Sequence, residues 1–122
     1  MGQGDTKDEA DYLADRLLGM RIFEDENGKM NRSIQDIGGE ILVVSQFTLY
    51  ADAIGGRRPS FTSAAAPNIA ETLYDYFVGL LKQNSKLTVK TGKFGAYMFV
   101  RIANDGPVTI LIDTADRKKN IK

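Results

Sequence analysis

Residues 40–50 read EILVVSQFTLY, from Glu40 to Tyr50, and follow the chain-breaking pair Gly38-Gly39. Their first half is uniformly apolar, the pattern of a strand covered on both faces. Such a strand needs covering layers, and the flanking sequence supplies two helices. Upstream, Thr6 and Glu9 have the spacing of a capping box, and Ala10, Leu13, Ala14, Leu17 and Leu18 recur at helical intervals before Gly19. Downstream, Asn68 is placed to cap a helix with Ile69, Leu73, Tyr76, Phe77, Leu80 and Leu81 on its buried stripe. Between the first helix and EILVV, residues 21–24 and 29–31 flank Asn27-Gly28, a dipeptide that favours the positive φ angles of a tight hairpin turn. Residues 86–91, 96–103 and 108–113 read as further strands. The expected fold class is α/β, with two helices packed on a mixed sheet and residues 41–44 near its centre.

The 122 residues carry 16 basic and 16 acidic side chains, with no cysteine and no histidine. A chain of this length makes one domain, residues 1–122, of which 114–122 read as a polar, frayed tail. Disulfides, thiolate nucleophiles, Ser-His triads and the usual zinc hydrolase sites are excluded. Catalysis has to come from backbone groups, hydroxyls, carboxylates, lysines or the substrate itself. No metal or cofactor is expected. No apolar run approaches the roughly 20 residues that span a bilayer. The first residues lack the basic start and apolar stretch of a signal peptide, although Gly2 and Thr6 fit the short, permissive myristoylation pattern. A cytoplasmic protein without membrane contact is the expectation.

Two segments can carry chemistry. Ser45-Gln46-Phe47-Thr48 ends the buried strand, and ligands of α/β sheets bind at strand ends. The plainer alternative is that Ser45 and Thr48 satisfy local backbone groups. Residues 104–109, NDGPVT, have the composition of a hairpin turn, and their Gly106-Pro107 bond is compatible with either peptide isomer. Between them, residues 51–67 (ADAIGGRRPSFTSAAAP) form a long irregular connection of the kind that is often functional.

SQFTLY, GRRPSF, TGKFGAYM and NDGPVT, in this order and at these separations, resemble D-aminoacyl-tRNA deacylase, the widespread family also called D-tyrosyl-tRNA deacylase. The likeness runs from about Gly4 to Thr114. It implies a three-layer α/β/β fold and a homodimer that hydrolyses the ester joining a D-amino acid, or glycine, to the tRNA 3′ end. It implies that Ser45, Gln46, Phe47 and Thr48 surround the scissile ester and terminal adenosine. Gly106 and Pro107 then meet the substrate's α-ammonium through their carbonyls, across the dimer interface, with a cis bond between them. Asn104, Val108 and Thr109 belong to the same loop, and Met98 walls the pocket. An aminoacyl ester is already activated, and its neighbouring ribose hydroxyl can assist cleavage. The protein then has mainly to position the substrate and stabilise an oxyanion, with backbone N–H groups near Phe47 as donors. Thr48 as a nucleophile is the rival mechanism. A neutral chain has no global field for a whole tRNA, so contact concentrates at the acceptor end. Arg57, Arg58, Lys90 and Lys93 are phosphate contacts or ordinary solvated charges, and the run 117–119 reads as solvated.

The sequence departs from the family pattern at its start, where the strands that usually precede Gly4 are not present, so the fold is expected in N-terminally truncated form. No residue takes the role of the arginine that those strands usually contribute beside the Gly-Pro loop. Exposed strand edges are a consequence. The alternative function is a catalytically poor relative that binds nucleotide or tRNA ends, or only associates. Ala53-Ile54 also stands where the family usually carries a basic residue.

Overall fold

The computed structural model describes residues 1–120. Helix α1 spans Lys7–Gly19, strands β1 and β2 span Arg21–Glu24 and Met30–Ser33, and strand β3 spans Glu40–Val43. A short 3-10 turn follows at Phe47–Tyr50, then helix α2 at Pro67–Gln83, strand β4 at Thr88–Thr91 and a second 3-10 stretch at Thr114–Asn120. The capping box at the start of α1 forms as expected. The Thr6 hydroxyl accepts from the Asp8 N–H, and the Glu9 carboxylate accepts from the Thr6 N–H at 2.6 Å. Two orphan donors of the first turn are satisfied by local sequence alone.

β1 and β2 make an antiparallel hairpin, whereas β3 and β4 run parallel, with Glu40 beside Thr88 and Val43 beside Thr91. Parallel neighbours require a crossover. Here it contains α2, so β3, α2 and β4 form a βαβ unit. Its core is Ile41, Val89, Tyr74, Val78 and Leu81, joined by Ala14 and Leu18 of α1. Ala10 and Ala14 are 1% and 2% exposed, and their small side chains let the two helices approach closely.

The α/β class and both helices match the expectation; several details do not. The strand expected over 40–50 stops at Val43, because the chain turns into a 3-10 helix at Phe47. It is covered on one face only, since Ile41 is buried and Leu42 is 61% exposed. There is no single mixed sheet among the described residues but two sheets of two strands. Residues 96–103 and 108–113 are not strands: they pair with no neighbouring strand among the described residues. Helix α2 starts at Pro67, with Ala66 as its cap, and Asn68 lies inside the first turn. Proline suits that first position because its missing N–H would have had no partner there. The α2 stripe is rotated from the expected one: Tyr74 and Val78 are buried, and Ile69 is 50% exposed.

The hairpin turn is also wider than a two-residue turn. Gly28 alone has positive φ (74°), and the Asp25 N–H bonds to the Lys29 carbonyl at 2.8 Å. The Asp25 carboxylate accepts from the amides of Asn27 and Lys29, so the side chain shapes the loop. The expected frayed tail is instead helical to Asn120, and the Arg117 guanidinium lies 5.0 Å from the centre of the Tyr12 ring on α1. Ile121 and Lys122, like the side chains of Lys118 and Lys119, lie outside the described residues.

Candidate active site

Parallel strands bring their carboxyl ends to the same edge. The Val43 carbonyl accepts from the Gly92 N–H at 3.0 Å, so residues following β3 and β4 leave the core side by side. This edge is where an α/β unit binds its ligands. The short connection from α2 to β4 puts the C-terminal end of the helix at the opposite edge. A depression of about 410 Å³ lined by Asp11, Asp15, Leu18, Gly19, Gln35, Leu80 and Asn84 lies at that opposite edge, away from the segment 45–50.

Ser45 is half-buried, while Gln46, Phe47 and Thr48 are exposed. The Gln46 amide donates to the Thr48 hydroxyl oxygen. That bond occupies a lone pair on Thr48 and leaves its proton free to be donated. The Phe47 and Thr48 amides open the 3-10 turn and so have no partner within it. Phe47 is held by an edge-to-face contact with Phe61, ring centres 5.1 Å apart and planes at 72°. Phe61 belongs to GRRPSF, so two of the four motifs meet here.

The third motif joins through Met98. Its sulfur accepts from the Lys93 N–H at 3.4 Å and covers Gly92, where a β-carbon would come within 2.6 Å of the sulfur and 3.7 Å of Val44. Met98 therefore packs beside the exit of β3. A β-carbon at position 92 would push the sulfur away.

NDGPVT is organised by its own side chains. Asn104 donates to the Thr109 hydroxyl at 3.0 Å and accepts from the Val108 N–H at 3.0 Å. The Gly106-Pro107 bond is cis, with Gly106 at φ 138°. Among the described residues of one chain, its side-chain hydrogen bonds do not reach Ser45–Thr48. The chain after it returns beside Tyr50: burial raises the Tyr50 pKa, and the charges of Asp5 and Asp113 add to the rise.

Arg57 and Arg58 are exposed near the tip of a loop closed by a two-bond bridge between Asp52 and Ser60, at 2.7 and 2.9 Å. Lys93 is exposed at the end of β4, and Lys90 lies within that strand. None of these four cations has an ion pair among the described residues. The same residues contain no group of three or more acidic, histidine or cysteine side chains placed to hold a metal. No helix among them is long and apolar enough to cross a membrane.

The family model described as D-Tyr-tRNA(Tyr) deacylase matches residues 1–113. The chain belongs to this family. Within the deacylase family, a D-aminoacyl-tRNA deacylase of Thermotoga petrophila is 56% identical over 115 residues, covering 94% of this chain and 76% of that protein. Its counterpart in Syntrophomonas wolfei is 58% identical over 112 residues, covering 92% and 74%. Among solved structures, one titled c-Myc DNA Unwinding Element Binding Protein is similar at 43% identity with a TM-score of 0.83, covering 90% of this chain and 74% of that one. A probable eukaryotic D-amino acid tRNA deacylase shares the fold, at a TM-score of 0.64 and 20% identity, covering 76% of this chain and 67% of that one.

Against this deacylase background, three residues of the site have no role assigned from sequence. Phe61 braces Phe47, Gly92 admits Met98, and Tyr74 reaches the end of β3 from α2. The last had a sequence signal, since Tyr74, Val78 and Leu81 also recur at helical spacing. Phe61 and Gly92 lie within GRRPSF and TGKFGAYM, but no local pattern pairs them with Phe47 and Met98.

Proposed function

We propose that this deacylase-family chain hydrolyses the ester between a D-amino acid, or glycine, and the tRNA 3′ end, using the segment Ser45–Thr48 as its catalytic platform. The observation that carries the reading is the convergence of SQFTLY, GRRPSF and TGKFGAYM at the carboxyl edge of β3 and β4, through the Phe47–Phe61 contact and the Gly92 N–H bond to the Val43 carbonyl, two residues before SQFTLY. Water adds to the acyl carbon, the bond to the ribose oxygen breaks, and that oxygen leaves with a proton. The neighbouring ribose hydroxyl assists the proton movement. The Phe47 and Thr48 amides stabilise the oxyanion. Thr48 acts as a hydrogen-bond donor, not a nucleophile: its oxygen already accepts from Gln46, and no histidine is present to take its proton.

The chirality filter is the Gly106-Pro107 loop of a second copy, whose carbonyls accept from the substrate ammonium and leave no space for an L side chain. Two features support a shared site. NDGPVT bonds to itself and not to Ser45–Thr48 of its own chain. It also lies between apolar side chains open to solvent in one copy, with Phe99 83%, Ile102 79% and Leu111 89% exposed. Asn104, Val108 and Thr109 keep the loop in shape. Arg57, Arg58 and Lys93 contact phosphates of the acceptor end.

The test is release of the amino acid from D-Tyr-tRNA, L-Tyr-tRNA and Gly-tRNA by this chain, with its mass measured by sedimentation. Rapid release from the D and glycyl substrates, slow release from the L substrate, and a dimer are expected. Equal release from the D and L substrates removes the chirality filter, and an active monomer removes the shared site.

A further inference from the structure

The carbonyl of Val43 is the last strand group before the catalytic segment, and it is held twice. One bond comes from the Gly92 N–H at 3.0 Å, which belongs to the sheet. The other comes from the hydroxyl of Tyr74 on α2, which donates at 2.8 Å across 31 residues of sequence. Tyr74 is 7% exposed, and its ring lies against Phe94 of TGKFGAYM, centres 5.8 Å apart and planes at 46°. A side chain from the covering helix thus ties the exit of β3 to the segment that carries Met98. Apolar packing alone does not require the hydroxyl, since a phenylalanine fills nearly the same volume.

We infer that Tyr74 is a positioning residue for the deacylation, its hydroxyl bond to the Val43 carbonyl fixing where the chain leaves β3 and hence where the Phe47 and Thr48 amides stand. Hydrogen-bond donors aimed at a developing oxyanion lose their value with small displacements, and a misplacement of about 1 Å can lower a rate by up to about a hundredfold. Only two residues separate Val43 from Gln46, both half-buried, so a shift at the carbonyl is passed along a short stretch. Tyr74 touches no substrate, and its influence passes entirely through the backbone. This assignment rests on the deacylase reading of Ser45–Thr48.

The decisive comparison is Tyr74→Phe against Tyr76→Phe. The second variant removes a hydroxyl from the same helix, one that bonds to Asp11 on α1. Kinetics on D-Tyr-tRNA and amide hydrogen exchange of residues 44–51 are measured for both variants and the unaltered chain. Tyr74→Phe is expected to lower kcat about tenfold with KM within about twofold. It should also speed exchange in residues 44–51 while leaving that of the α2 core unchanged. Tyr76→Phe should match the unaltered chain in both measurements. An unchanged kcat in Tyr74→Phe overturns the inference, and so does unchanged exchange, whatever the rate does. Absence of deacylation by the unaltered chain refutes the proposed function instead, and the exchange comparison then decides the Tyr74 tether by itself.

Discussion

Replacing Arg57 and Arg58 together by alanine separates phosphate contact from ordinary surface charge. Both guanidinium groups are exposed, make no ion pair among the described residues, and sit on a loop whose base is held by the Asp52–Ser60 bridge. Their removal should therefore leave the thermal midpoint within about 1–2 °C, since substitutions of this kind stay within about 0.5 kcal/mol. The effect belongs in the salt dependence of kcat/KM. Each phosphate contact contributes roughly 0.7–0.9 to the slope of log affinity against log salt, so two contribute about 1.5. Raising salt from about 50 to about 200 mM is a fourfold change, and four to the power 1.5 is about eight. The double variant should be slower at low salt, and its deficit should shrink about eightfold over that range. The assay is deacylation of D-Tyr-tRNA at subsaturating substrate across a salt series. Parallel lines for the two proteins, at any separation, would refute phosphate contact by this pair.

Further outcomes follow from the site and the core. Gln46→Ala and Phe47→Ala should each lower deacylation at least about a hundredfold without unfolding the protein, whereas Thr48→Ala should keep a substantial part of the rate. An inactive Thr48→Ala that is folded and still binds substrate would count against assistance by the ribose hydroxyl. Leu81, at 0% exposed, is the most buried large side chain among those described, and Leu81→Ala should cost about 3–4 kcal/mol and roughly 10–15 °C of Tm. A loss below about 1 kcal/mol in a urea melt would show that the helix–sheet interface is not the core it is taken to be. Three carboxylates hold pKa values below the usual range: Glu9 through the Thr6 hydroxyl and amide, Asp25 through the Lys29 amide and the Asn31 side chain, and Asp36 through the Ser33 amide and hydroxyl. A lowered folded pKa stabilises above the ordinary carboxylate range, and that contribution is lost as pH falls through it. Tm should therefore drop on acidification, and less steeply for Asp25→Asn; identical acid profiles would contradict the loop role of Asp25.

The features legible from the sequence were those decided by neighbours along the chain. The Thr6–Glu9 box, the end of α1 at Gly19 and the hairpin around Gly28 depend on groups within a few residues of one another, so their spacing carries the information. The four motifs were equally legible as a resemblance, and with them the family. What the sequence could not decide was which apolar runs would find partners. Residues 41–43 and 97–102 are similarly apolar, yet the first became a strand because β4 lies beside it, and the second stayed unpaired because no strand among the described residues does. Pairing is a long-range event, and apolar pattern marks only the capacity for it. The same holds at the site. SQFTLY named its residues, but the end of β3 at Val43, the Phe61 brace and the Tyr74 tether depend on contacts between residues well separated in the chain. The Tyr74 tether exists only once α2 has packed on the parallel pair, and that packing, rather than any local preference, holds the point where the chain leaves β3.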